Sequence, residues 1–176
     1  MLALGPTIGT MIGEKCESTM STINTRLKDL GIILPTPAAP VANYVPYVIT
    51  GSLLVISGQL PLGADGQISP HHKGKLGAEV FNEAGQEAAK LCAINVLAQA
   101  QAAMGDLKRI KRCVRLGGFI NSGPKFTALA AIMNGASDLM VAVLGESGRH
   151  ARSTVGVAEL PLDAAVEVEA MFEITP

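Results

Sequence analysis

Tryptophan is absent from this chain of 176 residues, and aromatic residues make up only 3% of it. Because proteins that bind single-stranded nucleic acid stack the bases on aromatic side chains, this scarcity disfavours a base-stacking surface. Charged residues are also few, at 16%, where an average domain has about a quarter. The net charge of −1 provides no overall field that would draw the chain to nucleic acid or to an anionic membrane.

Cysteine and histidine are scarce as well, with three of each. Cys16, Cys92 and Cys113 are odd in number and widely spaced, which fits neither a disulfide framework nor a zinc site. Few unpaired cysteines favour a reducing, cytoplasmic setting. The adjacent His71 and His72 point in opposite directions on an extended chain, and no third residue has the spacing to complete a metal site. The sequence therefore predicts no metal.

Long hydrophobic runs are missing too, since no window approaches the ~18 consecutive apolar residues of a membrane span. Yet 48% of the residues are hydrophobic and the mean hydropathy is +0.35. We expect the excess apolar surface to be buried between subunits of a homo-oligomer.

The apolar, glycine-rich stretch Met1–Ser18 has its only lysine, Lys15, after the apolar core, where a signal peptide needs a basic segment before it. Residues 1–19 are therefore predicted to be a disordered extension, or the product of an upstream start. One domain is predicted over residues 20–176.

Hydrophobic periodicity, together with glycine and proline positions, predicts a mixed set of helices and strands. In chain order these are a short helix over Ser21–Gly31, an irregular connector over Leu34–Ala42, a hairpin of Pro46–Thr50 and Leu53–Ser57, a turn over Gly63–Gly66, a long helix over Leu76–Met104, a strand over Ile110–Ile120 with a bulge at Gly117–Gly118, a helix over Pro124–Gly145 broken near Asn134–Gly135, and a closing hairpin of Ser153–Leu160 and Ala165–Ile174. The order β-β-α-β-α-β-β predicts the α+β class, with two helices packed on one face of a mixed sheet.

The last quarter of the chain carries the strongest functional signal. Arg152 lies at the start of a predicted strand, where a guanidinium could hold a small carboxylate through two hydrogen bonds. Glu167, Glu169 and Glu173 alternate along the last strand, and Glu167 is nearest the turn, so it is the candidate acid for orienting a water. The predicted hairpin would separate the backbones of Arg152 and Glu167 by about 13 Å. That leaves room for a compact acid and one water. The alternatives are a surface ion pair for Arg152 and a solvated acidic face for the glutamates.

A basic cluster forms a second candidate site. Its members are Lys108, Arg109, Lys111, Arg112 and Arg115. It fits a solvated strand end, and it could also bind phosphate or RNA. Because no aromatic residues are interleaved with these side chains, nucleic acid is the less favoured partner.

Three segments together resemble the YjgF/RidA family of enamine/imine deaminases, over roughly residues 34–174. They are Ser57–Pro61 after a strand, Arg152–Val155, and Val166–Ala170. The resemblance implies a chorismate-mutase-like fold assembled as a homotrimer, with the sheets forming an inner barrel and ligand clefts between subunits. It also implies hydrolysis of small 2-imino acids, or their enamine tautomers, to 2-oxo acids and ammonia, with no metal or cofactor.

By the same resemblance, Arg152 binds the substrate carboxylate and Glu167 orients the attacking water. The residues implied to line the cleft are Tyr44, Ser57, Gly58, Asn134 and Thr154. Thr154 stands where cysteine is usual and would act through its backbone. The chain departs from the family pattern in the runs Asn134–Leu139 and Gly148–His150 and at Gly156, where an acid is common. These departures resemble a less characterised branch.

The sequence thus predicts a deaminase acting on small 2-imino acids. A non-catalytic binder of small carboxylic acids is the first alternative, and it would use Arg152 without needing Glu167. An RNA-cleaving translation inhibitor, resting on the basic cluster, is the second.

Overall fold

The computed structural model describes residues 22–37 and 43–175. Within these ranges the chain forms three α-helices and five β-strands: α1 Ile23–Asp29, β1 Tyr47–Thr50, β2 Leu53–Gln59, α2 Asn82–Met104, β3 Ile110–Asn121, α3 Leu129–Leu144, β4 Ala151–Val157 and β5 Val166–Ile174. The fold is α+β, as the order of elements predicted. The predicted extension over residues 1–19 lies outside the described residues.

One five-stranded sheet has the strand order β1-β2-β5-β3-β4. Neighbouring strands run antiparallel except β3 and β4, which are parallel. Parallel neighbours need a crossover connection, and α3 provides it. β5 therefore lies at the centre of the sheet, while β4 forms an edge.

The predicted closing hairpin is wrong. β5 lies between β2 and β3, with Val168 opposite Gln59 on one side and opposite Gly118 on the other. The chain leaves β4 through a short 3₁₀ turn, Pro161–Asp163, in which Leu162 and Asp163 both have a φ of 58°. It then passes the end of β3 to reach the centre of the sheet.

The face assignment for β5 is confirmed. Val166, Val168, Ala170, Phe172 and Ile174 are buried, and the alternate residues are partly exposed. The buried face packs against α2, and α3 covers β3 and β4 on the same side. At the α3 contact, a Cβ on Gly118 would lie 2.4 Å from Met133 Sδ, so glycine allows the helix its close approach to β3.

Three predicted local features need correction. The long helix begins at Asn82 rather than Leu76, because Gly77 has a φ of 80° and Leu76 forms a bridge with Ser122. The irregularities in β3 lie between Ile110 and Arg112 and between Cys113 and Arg115, and not at Gly117–Gly118.

The other helix starts at Leu129 and continues without a break through Asn134 and Gly135. A Cβ on Gly135 would lie 2.0 Å from Gln86 O on α2, so this glycine permits a close helix–helix contact. The segment Leu129–Gly148 has the length and hydropathy of a candidate membrane span. Its apolar side is nevertheless buried against the rest of the domain, since Ile132, Met133 and Met140 are fully covered.

The short first helix has the predicted ends. Thr22 caps its N-terminus by accepting a hydrogen bond from the Thr25 amide, and Gly31 follows with a φ of 65°. The first hairpin also forms as predicted, with Gly51 at a φ of 56° in its turn.

Candidate functional site

Arg152 lies on the helix-facing side of β4, beneath α3. Its Nη1 donates to Asn134 Oδ1 and to Ser137 Oγ, at 3.0 Å each, and its Nη2 donates to the Ala130 carbonyl at 3.2 Å. We call Arg152, Asn134, Ser137, His150 and Thr154 the arginine cluster. The predicted neighbours Arg152 and Asn134 are thus brought into direct contact.

The guanidinium retains donors for a ligand. Of its five N–H groups, the contacts within the described residues use two on Nη1 and one on Nη2, which leaves Nε–H and one N–H of Nη2. Neighbouring N–H groups of a guanidinium form a planar fork that matches the two oxygens of a carboxylate. The cluster can therefore hold one carboxylate without breaking its contacts to α3.

Thr154 lies two residues further along the same side of β4, opposite Gly118 of β3. Its Oγ1 is buried and has no hydrogen-bond partner among the described residues. Because β4 is an edge strand, alternate backbone N–H groups point away from β3 and are free to bind a ligand or another chain. Thr154 therefore shares the helix-facing side of β4 with Arg152, two positions away.

Glu167 belongs to a second group of residues, on the opposite face of the sheet. We call Tyr44, Ser57, Gly58 and Glu167 the glutamate cluster. The Glu167 carboxylate lies over the backbone of Gly58, where an added Cβ would stand 1.8 Å from Oε1. Burial raises the pKa of Glu167, and the nearby Glu169 carboxylate raises it further. A carboxyl group in this state is suited to exchanging a proton.

An irregularity in β2 shapes the backbone beneath this carboxylate. The pairing of β2 with β5 shifts register between Ile56 and Gln59. The Gln59 side chain folds back and donates from Nε2 to the carbonyls of Ser57, at 3.0 Å, and Gly58, at 3.1 Å. The glutamine of the Ser-Gly-Gln motif thus holds the strand end in shape.

The remaining two residues complete the glutamate cluster. Ser57 Oγ donates to the Val45 carbonyl at 2.8 Å, which ties the strand end to the segment before β1. Tyr44, next to Val45 in the chain, is 53% exposed. An exposed tyrosine beside a tethered backbone is available to a ligand or to another subunit.

Within one subunit the two clusters do not meet. Glu167 is opposite Phe119 of β3, and Arg152 is opposite Leu116, so the two residues lie two strands and three positions apart. At about 4.8 Å per strand and 3.3 Å per residue, their backbones are about 14 Å apart. This distance is close to the one expected from the hairpin, but the side chains project from opposite faces of the sheet. Within one chain the arginine cluster and the glutamate cluster are therefore two separate groups.

Most of the predicted basic cluster is engaged by partners of its own chain. Arg109 donates to the Thr175 carbonyl at 3.0 Å, Arg115 Nη1 lies 3.0 Å from Glu169 Oε1, and Lys111 Nζ lies 3.8 Å from Glu173 Oε1. Acids thus stand beside two of its cations, which weakens the case for a phosphate or RNA surface. Among the described residues, no group of three or more His, Cys, Asp or Glu side chains could hold a metal ion.

Residues 24–174 match the family model described as "YjgF/chorismate_mutase-like, putative endoribonuclease". The chain belongs to the YjgF/RidA family. The match spans every helix and strand from α1 to β5 except the first residue of α1.

Individual relatives agree with this family. Protein TCP17 of Trypanosoma cruzi is 51% identical over 153 residues, covering 86% of this chain and 94% of TCP17. The crystal structure of Atu1372 from Agrobacterium tumefaciens, a protein of unknown function, is 49% identical with a TM-score of 0.80, over 87% of this chain and 92% of that one. RidA from an Antarctic Psychrobacter species is 26% identical with a TM-score of 0.56, over 79% and 94% of the two chains.

Two residues of the arginine cluster were not predicted as site residues. Ser137 follows Asn134 by three positions, and residues three apart lie on the same face of a helix. The spacing places Ser137 beside Asn134 only in a helix that continues through Asn134, and a break had been predicted there. His150 stands two residues before Arg152, on the same side of the chain, and it contacts Ser137 Oγ through Nε2 at 3.0 Å. In the sequence, His150 had stood out only as part of the run Gly148–His150, which departs from the family pattern.

Proposed function

We propose that this YjgF/RidA protein is a cytoplasmic homotrimeric enzyme that hydrolyses small 2-imino acids, or their enamine tautomers, to 2-oxo acids and ammonia. The supporting observation is that the arginine cluster and the glutamate cluster offer different chemistry, and we take them as the two half-sites of one active site. Arg152 presents free guanidinium donors beside Asn134, which suits a substrate carboxylate. Glu167 presents a carboxyl group of raised pKa above Gly58, which suits proton transfer to and from water.

The proposal places each complete site between two subunits. Arg152 and Glu167 project from opposite faces of one sheet, so a ligand touching both needs one residue from each of two chains. Large apolar side chains stand exposed near both half-sites, namely Val155 on β4, at 47%, and Val45 beside Ser57, at 56%. Burying such side chains favours association of subunits at these edges.

The proposed hydrolysis uses Arg152, Glu167 and one water. Arg152 fixes the carboxylate, which holds the imine carbon in position. The protonated imine is attacked at C2 by a water, and Glu167 accepts one proton from that water as the C–O bond forms. Glu167 then returns the proton to the nitrogen of the carbinolamine. The C–N bond breaks, the hydroxyl proton passes to the departing ammonia, and the products are a 2-oxo acid and ammonium, with Glu167 regenerated.

The test is a deamination assay with 2-iminobutanoate or 2-iminopropanoate, generated in situ by an amino acid oxidase. We expect the protein to accelerate formation of the 2-oxo acid over the rate in buffer. Arg152→Ala should lose most of the acceleration and raise KM, and Glu167→Gln should lower kcat. No acceleration by the wild-type protein, or full activity of Arg152→Ala, would refute the proposal.

A non-catalytic binder of small carboxylic acids is the second candidate. The observation that favours it is that every hydrogen bond of the Arg152 guanidinium within the described residues is made to α3, without Glu167. The same assay separates the two functions when it is combined with calorimetry using 2-oxobutanoate. Binding that depends on Arg152, with no turnover in either the wild-type protein or Glu167→Gln, would favour the binder.

A further inference from the structure

A series of hydrogen bonds links the Arg152 guanidinium to Ser137, His150 and the Gly148 carbonyl. Ser137 Oγ lies 3.0 Å from Arg152 Nη1 and 3.0 Å from His150 Nε2, and His150 Nδ1 lies 2.6 Å from the Gly148 carbonyl oxygen. The three side chains come from α3, from the segment before β4, and from β4 itself. They therefore tie the guanidinium to two elements of the fold at once.

For a neutral His150, the chemistry of the groups fixes the direction of every bond. A carbonyl oxygen can only accept, so the hydrogen of a neutral His150 is on Nδ1 and is donated to Gly148. Nε2 is then an acceptor, and the Ser137 hydroxyl donates to it. A guanidinium can only donate, so Ser137 Oγ accepts from Arg152 Nη1. Every polar group in the series is satisfied in one arrangement.

This arrangement fixes the orientation of the guanidinium. With Asn134, Ser137 and the Ala130 carbonyl all engaged, the guanidinium is held at three points on one side. Nε–H and the remaining Nη2 N–H are then the donors left for a ligand. Arginine loses considerable side-chain freedom when it is ordered, and ordering it before the ligand arrives increases affinity.

We propose that Ser137 and His150 are positioning residues that preset the Arg152 guanidinium for a substrate carboxylate. The inference rests on the proposed role of Arg152 and adds to it the residues that determine carboxylate affinity in this chain. Both come from the runs Asn134–Leu139 and Gly148–His150, in which the sequence departs from the family pattern.

The test compares 2-oxobutanoate affinity, by calorimetry, in Ser137→Ala, His150→Asn and His150→Gln. A glutamine can present its amide oxygen to Ser137 in place of Nε2, whereas the shorter asparagine reaches only toward Gly148. We expect both Ser137→Ala and His150→Asn to weaken binding about 10-fold. Ser137→Ala removes a charge-assisted hydrogen bond to the guanidinium, and His150→Asn removes the acceptor that orients the Ser137 hydroxyl. His150→Gln should recover most of the affinity.

Two further readouts separate positioning from general stability. In steady-state assays the two weakened variants should raise KM while leaving kcat within about threefold of wild type, since the chemical step does not use these residues. Imidazole ¹⁵N chemical shifts should show His150 with its hydrogen on Nδ1 in the wild-type protein. The matched controls are Ser52→Ala, in the turn between β1 and β2, and His71→Asn, at an exposed position. Both should bind 2-oxobutanoate as the wild-type protein does.

The outcomes distinguish this inference from the proposed function. If Arg152→Ala abolishes 2-oxobutanoate binding while Ser137→Ala and His150→Asn bind normally, the positioning role is refuted and the carboxylate site stands. Equal losses in His150→Asn and His150→Gln would also refute it. If Arg152→Ala binds normally, the proposed function itself fails. Should His150→Asn not fold, as judged by its melting temperature, Ser137→Ala decides.

Discussion

Replacing Gly58 with alanine tests whether the glutamate cluster needs the exact position of its carboxylate. An added Cβ would stand 1.8 Å from Glu167 Oε1 and 2.8 Å from Cδ, where ordinary contacts begin at 3.4 Å. The carboxylate must therefore move by about 1.6 Å, the difference between the contact present and an ordinary one. Because the clash involves only the end of a flexible side chain, we expect the fold to tolerate the change.

The effect on catalysis should be much larger than the effect on stability. A misplacement of about 1 Å in a reacting group costs roughly 100-fold in rate, or about 2.7 kcal/mol in the activation barrier. We expect kcat/KM for 2-iminobutanoate to fall by about two orders of magnitude in Gly58→Ala, while the melting temperature stays within a few degrees of wild type.

The matched control is Gly123→Ala, where an added Cβ would meet only ordinary contacts, the nearest at 3.4 Å from the Leu76 carbonyl oxygen. In the Glu167→Gln background, Gly58→Ala should cost little further activity, because the group that it displaces has already lost its function. Wild-type kcat/KM in a folded Gly58→Ala protein would refute the reasoning.

Two further predictions concern stability. Burial and the Glu169 carboxylate raise the pKa of Glu167 above its ordinary value of about 4.5, so the wild-type protein should lose stability as the pH rises from that value through the folded-state pKa. Glu167→Gln should therefore gain stability relative to wild type between pH 4 and pH 8 in urea unfolding. A stability difference that stays constant over this range would contradict the prediction. Gly135→Ala should lower the melting temperature, because the added Cβ would lie 2.0 Å from Gln86 O on α2. Helix propensity alone would favour alanine by about 1 kcal/mol. A stabilised variant would show that α2 and α3 can separate at little cost.

Several local features of this fold were predicted correctly, because turns and face alternation depend on residues that are close in sequence. The alternation along β5 separated buried from exposed residues correctly, and Gly31 and Gly51 have the positive φ values that their turns require. The long helix was extended too far because Leu76 and Val80 continue its apolar pattern. Their burial comes instead from a loop that packs beside Ser122.

The sheet order could not be read from such patterns. A strand has the same alternation whether its neighbour is the preceding strand or a distant one, so nothing in Val166–Ile174 distinguished a hairpin with β4 from insertion between β2 and β3. The error mattered for the candidate site. In a hairpin, Arg152 and Glu167 would belong to one cleft, whereas the observed order and register place them on opposite faces of the sheet. The proposed site is shared between subunits for this reason.

A subunit-mixing experiment tests the central claim most directly. Arg152→Ala and Glu167→Gln, each expected to be inactive alone, would be co-expressed with different tags so that mixed oligomers can be isolated. In a trimer that contains both variants, about one interface in three joins an intact Arg152 to an intact Glu167 from the neighbouring subunit, so the isolated mixed trimers should regain about a third of wild-type activity. Mixed oligomers no more active than either parent would contradict a site built from two subunits.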